Sequence, residues 1–190
     1  MNSVKAPTEP LSFLDEVIQA TPGTSRLEMC IQCGTCGGSC PSGADMDHTP
    51  RGIFALIRAD LRDEVLRSNT PWYCVSCYFC AVRCPQEVHI TDIMYTLKNK
   101  AIKAGLYEDN TAASLAQTFV DQVERNGRSF EFGLATRHNL KHRPLGMARM
   151  AAGLGMGLLT KGRMDLTATR IQGIEQLHRI LERARELEGA

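Results

Sequence analysis

The sequence lacks any run approaching about eighteen uncharged apolar residues, so no segment reads as a bilayer-spanning helix. It also lacks net charge. Its 22 Lys and Arg stand against 21 Asp and Glu, a formal +1, which leaves no whole-protein field to gather a polyanion and predicts no nucleic-acid partner. Blocks of like charge and internal periods of repeat length are missing too, excluding charged tails and solenoids. Met1 to Pro10 carries Lys5 without the apolar core of a secretory leader. Gly153-Leu154-Gly155-Met156-Gly157 follows no β run and misses the G-x-G-x-x-G register, so NAD and flavin binding have no support. What remains at 190 residues, 43% hydrophobic and 23% charged, is a cytoplasmic globular chain: one domain, or a compact module with extensions.

Cysteine is what the chain has in excess. All eight cysteines fall into two clusters of identical spacing: Cys30, Cys33, Cys36 and Cys40 before Pro41, then Cys74, Cys77, Cys80 and Cys84 before Pro85. Each reads C-x2-C-x2-C-x3-C-P, the run in which three cysteines ligate one 4Fe-4S cube and the fourth ligates the other. Two-residue gaps let one short loop wrap three corners of a cube. Gly34, Gly37 and Gly38 let backbone bend past the cluster and leave N–H groups free for its sulfurs, and the proline after each fourth cysteine directs the chain away. The motif therefore predicts two 4Fe-4S clusters: cluster I on Cys30, Cys33, Cys36 and Cys84, cluster II on Cys74, Cys77, Cys80 and Cys40.

Competing chemistries fit less of the pattern. Structural zinc favours two separated C-x2-C pairs over a triple with a proline-capped fourth, although a zinc-stapled interaction module is the alternative from another functional class. A disulfide framework suits a small secreted chain with a leader, and a thioredoxin-like pair would strand six cysteines.

Between and around the motifs the apolar spacing is helical. Ser12 and Asp15 form a capping box for a short helix over 12–20, ended by Pro22 and Gly23. Thr49 and Pro50 start an amphipathic helix over 50–67 through Ile53, Leu56, Ile57, Leu61 and Val65. Thr91 and Asp92 open another, through Ile93, Met94, Leu97, Ala101 and Ile102, closed by Gly105. Both halves thus repeat cysteine loop, proline, helix. Trp72, Tyr73, Tyr78 and Phe79 either shield cluster II from water or simply pack a core, and His89 is five residues beyond Cys84, where a lone histidine is usually incidental.

The C-terminal half carries a helix over 111–126 stopped by Gly127, a basic stretch over 137–149, a Met-rich apolar stretch over 147–159, and an amphipathic helix over 169–188. The basic stretch is a solvated face or a docking site for an acidic partner or lipid surface. The Met-rich stretch is an interface or intramolecular packing.

From about Leu11 to Tyr107 the sequence resembles the C-type subunit of heterodisulfide reductase and its relatives. The likeness rests on Cys30-Ile-Gln-Cys33-Gly-Thr-Cys36-Gly-Gly-Ser-Cys40-Pro41-Ser42-Gly43, then on Trp72-Tyr73-Cys74-Val-Ser-Cys77-Tyr78-Phe-Cys80 and Cys84-Pro85. It implies an electron-transfer protein relaying single electrons between an A-type flavin and iron-sulfur subunit and a B-type subunit that handles a disulfide or thiol. No two adjacent cysteines occur, so the B-type catalytic motif is missing and no catalytic site is expected here. The alternative within electron transfer is an iron-sulfur subunit of a quinone-linked, fumarate-reductase-like oxidoreductase, with peripheral membrane contact through a partner. The fold class expected is mainly α: an N-terminal arm with a short helix (1–23), an α-helical ferredoxin domain binding two 4Fe-4S clusters (24–107), and a C-terminal helical extension for docking to other subunits (108–190).

Overall fold

The computed structural model describes residues 11–107, 111–142, 156–163 and 165–188. Among the described residues every regular element is helical and no strand occurs. The chain divides into two compact units, 1–108 and 109–190.

The first unit opens with α1 (Phe13–Ala20), whose cap is the expected one: Ser12 Oγ accepts the Asp15 N–H at 3.1 Å. A single 3-10 turn (Leu27–Met29) leads into the first cysteine loop, which contains the short α2 (Thr35–Ser39). Two helices follow, α3 (Pro50–Arg58) and α4 (Arg62–Arg67). The second cysteine loop contains α5 (Phe79–Val82), and α6 (Ile90–Ala104) closes the unit. Helix α1 packs on α3 and α6, and α4 packs on α6, so the N-terminal helix is part of this unit's core. Val17, Leu27, Ile53, Phe54, Ile57, Val65, Leu66, Ile93 and Leu97 are wholly removed from water there. Their burial, at roughly 1.5–3 kcal/mol per large side chain, is the main force holding the helices against the cysteine loops.

The single helix expected over 50–67 is two. Asp60 adopts the left-handed conformation (φ 59°) and breaks the run, and Leu61, expected on the apolar face, is 45% exposed. The break has a function in packing. Asp60 Oδ1 accepts the Phe13 N–H at 2.6 Å and fastens the start of α1. Helix α6 begins at Ile90 with His89 at the cap position, one residue before the expected Thr91 opening, and ends on a left-handed Gly105 (φ 64°) as its sequence predicts.

In the second unit α7 (Thr111–Asn126) matches its expected span and ends at a left-handed Gly127. It packs on α8 (Glu131–His142), which holds residues 137–142 of the basic stretch. Residues 143–149 of that stretch, and 147–155 of the Met-rich one, lie outside the described residues. After α9 (Met156–Thr160) comes α10 (Ile174–Glu188), which starts five residues later than expected because 169–173 are not helical. This last helix packs on α7, where Arg185 pairs with Glu124 at 2.7 Å and His178 meets the Glu124 carbonyl at 2.9 Å. Among the described residues no helix is long and apolar enough to cross a membrane.

Candidate iron-sulfur sites

The two cysteine loops share an uncommon backbone path. In the first, Gln32 (φ 59°) and Gly34 (φ 83°) flank Cys33 in the left-handed region; in the second, Ser76 (φ 54°) and Tyr78 (φ 61°) flank Cys77. Position for position, the second loop repeats the first. Only Gly34 takes this conformation freely; each of the other three costs of order 1 kcal/mol or more and persists where its surroundings over-determine the loop. Beyond these turns Cys36 and Cys80 occupy the same place, the second residue of α2 and of α5, and the two short helices pack together.

Two separate cavities result. Cys30, Cys33, Cys36 and Cys84 bound the first; Cys40, Cys74, Cys77 and Cys80 bound the second. Ile90 lines both and stands between them. Each cavity therefore meets three cysteines of one motif and the fourth of the other. All eight thiols are unbridged. Among the described residues no three Cys, His, Asp or Glu side chains converge closely enough to hold one metal ion. A tetrahedral zinc with bonds of about 2.3 Å draws its thiolates to within about 4 Å of one another, whereas a cube needs them spread around a larger body.

The thiols act on one another within the second cavity and, between Cys36 and Cys80, across the two. Burial pushes the Cys36 thiol up to about 11, with further repulsion from Cys30 and Cys80. Burial also raises Cys40, and the charges that add to it are Cys74 and Cys77 of the other motif. Cys80 is raised by burial and by the same two cysteines. Cys33 goes the other way: the Thr35 hydroxyl, 3.4 Å from its sulfur, holds it below the ordinary thiol value. Thiols that resist ionisation in a shared apolar cavity are held as thiolates when a bound metal supplies the opposing positive charge.

Further polar groups surround the sulfurs. Gln32 Nε2 donates to Cys30 Sγ at 3.6 Å and the Val88 N–H donates to Cys84 Sγ at 3.4 Å, both at the first cavity. Met46 Sδ lies 4.0 Å from Cys40 Sγ at the second. Thr91 lines the second cavity, and its buried hydroxyl has no hydrogen-bond partner among the protein atoms. A buried hydroxyl is rarely left so, and a cluster sulfide is an acceptor that satisfies it. The residues present thus fit a 4Fe-4S cube in each cavity.

Of the aromatic residues singled out in the sequence, Tyr78 alone lines a cavity, the second. Trp72 is buried but against Tyr107, with ring centroids 5.9 Å apart. Tyr73 and Phe79 are largely exposed. His89 lines neither cavity and stands 3.7 Å from Asp92. Arg51, Thr91, Met46 and Ile90 line the cavities although the cysteine pattern does not point to them. The signal that leads to Arg51 and Thr91 is the repeat itself, aligned on the two helix starts.

Residues 26–88 match the family of the 4Fe-4S dicluster domain. Two 4Fe-4S clusters are the chain's cofactors, and both loops and both cavities fall in or beside the matched segment. Curated relatives extend the likeness. The C subunit of the H(2):CoB-CoM heterodisulfide,ferredoxin reductase of Methanothermobacter marburgensis is 46% identical over 90 residues, covering 47% of this chain and 48% of the relative. The second iron-sulfur C subunit of the CoB--CoM heterodisulfide reductase of Methanocaldococcus jannaschii is 41% identical over 100 residues, 50% of this chain and 53% of the relative. The C subunit of the Ferredoxin:CoB-CoM heterodisulfide reductase of Methanosarcina acetivorans is 37% identical over 92 residues, 48% of this chain and 37% of the relative. The resemblance to the heterodisulfide reductase C-type subunit read from the cysteine loops is therefore upheld. The chain spans about half the length of the relatives first matched, and the likeness belongs to the dicluster half.

Proposed function

We propose that the dicluster domain is an α-helical ferredoxin module that relays single electrons inside a heterodisulfide-reductase-like complex, between an A-type flavin subunit and a B-type subunit acting on a disulfide or thiol. Cluster I is held by Cys30, Cys33, Cys36 and Cys84, cluster II by Cys74, Cys77, Cys80 and Cys40. The observation that carries the reading is the crossed composition of the two cavities, each with three cysteines of one motif and the fourth of the other.

When bound, a 4Fe-4S cube accepts and returns one electron without bond-making. The chain's own residues hold it, and the strained loops at Gln32, Ser76 and Tyr78 keep the thiolates in place before and after transfer, so little reorganises. Crossed ligands also fix the two sites relative to each other, because neither can move without pulling the other's loop. Disulfide or thiol chemistry falls to the B-type partner, and the second unit, residues 109–190, is the candidate for docking.

The test is iron, acid-labile sulfide and zinc per chain on the anaerobically purified full-length protein, with EPR after dithionite reduction. About eight iron and eight sulfide, with interacting signals from two reduced cubes, are expected. Stoichiometric zinc without sulfide overturns the electron-transfer reading.

A further inference from the structure

The two halves of the first unit match in sequence register twice over. Cys30 to Cys40 corresponds to Cys74 to Cys84, and the start of α3 corresponds to the start of α6. In each half, the first, second and fifth residues of the helix face a cavity: Pro50, Arg51 and Phe54 in one half, Ile90, Thr91 and Met94 in the other. Arg51 and Phe54 line the first cavity; Thr91 and Met94 line the second. Equivalent positions thus carry an arginine at one site and a threonine at the other.

The loop positions repeat the contrast. Gln32 and Thr35 direct polar groups at Cys30 and Cys33. Their counterparts are Ser76, whose hydroxyl is engaged with Tyr95 at 2.8 Å, and Phe79, which has nothing to donate. Arg51 is held in place by its Nε, which donates to the Gln32 carbonyl at 3.1 Å. At the second loop Lys98 donates to the Cys74 carbonyl at 3.4 Å and lies over the Tyr95 ring, without lining the cavity. Reduction adds one electron and no proton to a cube that is already anionic, so a positive charge fastened to its loop and donated hydrogen bonds both favour the reduced form.

We infer that Arg51 and Thr91, at equivalent positions of the two repeats, set unequal reduction potentials on the two clusters, cluster I, whose loop holds the Arg51 charge, being the easier to reduce. This rests on each cavity holding one 4Fe-4S cluster. Both are positioning residues: Arg51 acts by charge, and Thr91 donates its otherwise unpartnered hydroxyl to a sulfur of cluster II. The singly reduced protein then keeps its electron on the Cys30, Cys33, Cys36 and Cys84 side.

The experiment is an EPR-monitored redox titration of the full-length protein, wild type against Arg51→Thr, Arg51→Lys, Thr91→Val and Thr91→Ser, with iron and sulfide counted on every sample. Arg51→Thr lowers the upper of the two reduction steps, by up to a tenfold change in that one-electron equilibrium, about 59 mV, and narrows the gap between steps. Arg51→Lys restores most of it. Thr91→Val lowers the lower step and widens the gap, while Thr91→Ser leaves it in place. Steps that stay put in Arg51→Thr and Thr91→Val at full iron and sulfide content overturn the inference and leave the two-cluster reading standing, as do shifts of opposite sign. Fewer than two clusters in the wild-type protein removes the reading on which it rests.

Discussion

At the scale of single residues, the first unit is fastened by polar contacts that the cysteine pattern does not announce. Glu16 on α1 reaches Lys100 of α6 at 2.8 Å and Arg62 of α4 at 3.3 Å, joining three helices through one carboxylate. Burial alone would raise its pKa, but hydrogen bonds from Lys100 and Arg62 outweigh that and hold it below the ordinary glutamate value. A carboxyl with a depressed folded pKa contributes stability above its unfolded pKa and loses it as pH falls through the folded one. Glu16→Gln is accordingly expected to cost about 0.5–1 kcal/mol in urea unfolding at neutral pH, and nothing below the folded pKa. The side chain is a third exposed, which is why the figure stays small. None of this was legible in the sequence, because Glu16 is 84 residues from Lys100 and only the folded packing brings them together.

At the scale of elements, helix existence was legible and helix interruption was not. Ile53, Leu56, Ile57, Leu61 and Val65 keep a helical period straight through Asp60, and neither Ala59 nor Leu61 forbids a helix. The break at Asp60 is made by a long-range partner, the Phe13 N–H, which no local pattern encodes. Asp60→Ala removes that acceptor and leaves a β-carbon residue in a left-handed turn. It is expected to lower stability by about 1–2 kcal/mol by thermal unfolding of the apo-protein, with Asp60→Asn milder since its amide oxygen still accepts and asparagine tolerates the turn. Thr91 shows the same limit in another form. Near a helix start it reads as a cap, yet the helix begins one residue earlier and Thr91 lines the second cavity with its hydroxyl unpartnered. The core of α6 behaves as its period predicts, and Leu97→Ala, at a position wholly removed from water, should cost about 2–5 kcal/mol in the same measurement.

At the scale of the molecule, cluster chemistry was the most legible feature because ligand spacing is a local property: three thiols two residues apart can wrap a cube wherever the loop sits. The proposed crossing of Cys40 and Cys84 is long-range, and the sequence suggests it only because the proline-capped fourth cysteine belongs to a recurring pattern. The second unit was less legible. Its helices α7 and α10 could be anticipated from amphipathic spacing, but α8 could not, since Glu131–His142 mixes Gly133, charge and few apolar positions.

The proposed exchange of the fourth ligand between the two sites joins these scales, and iron content of stacked cysteine variants tests it most directly. A Cys74→Ser, Cys77→Ser, Cys80→Ser chain should retain about four iron. Adding Cys40→Ser to it should then change nothing, whereas adding Cys84→Ser should remove or visibly alter the remaining cluster by EPR. In the mirror background of Cys30→Ser, Cys33→Ser and Cys36→Ser, the sensitivity should pass to Cys40. The opposite pattern, with Cys84 dispensable beside an intact first motif and Cys40 required there, would contradict the crossed arrangement.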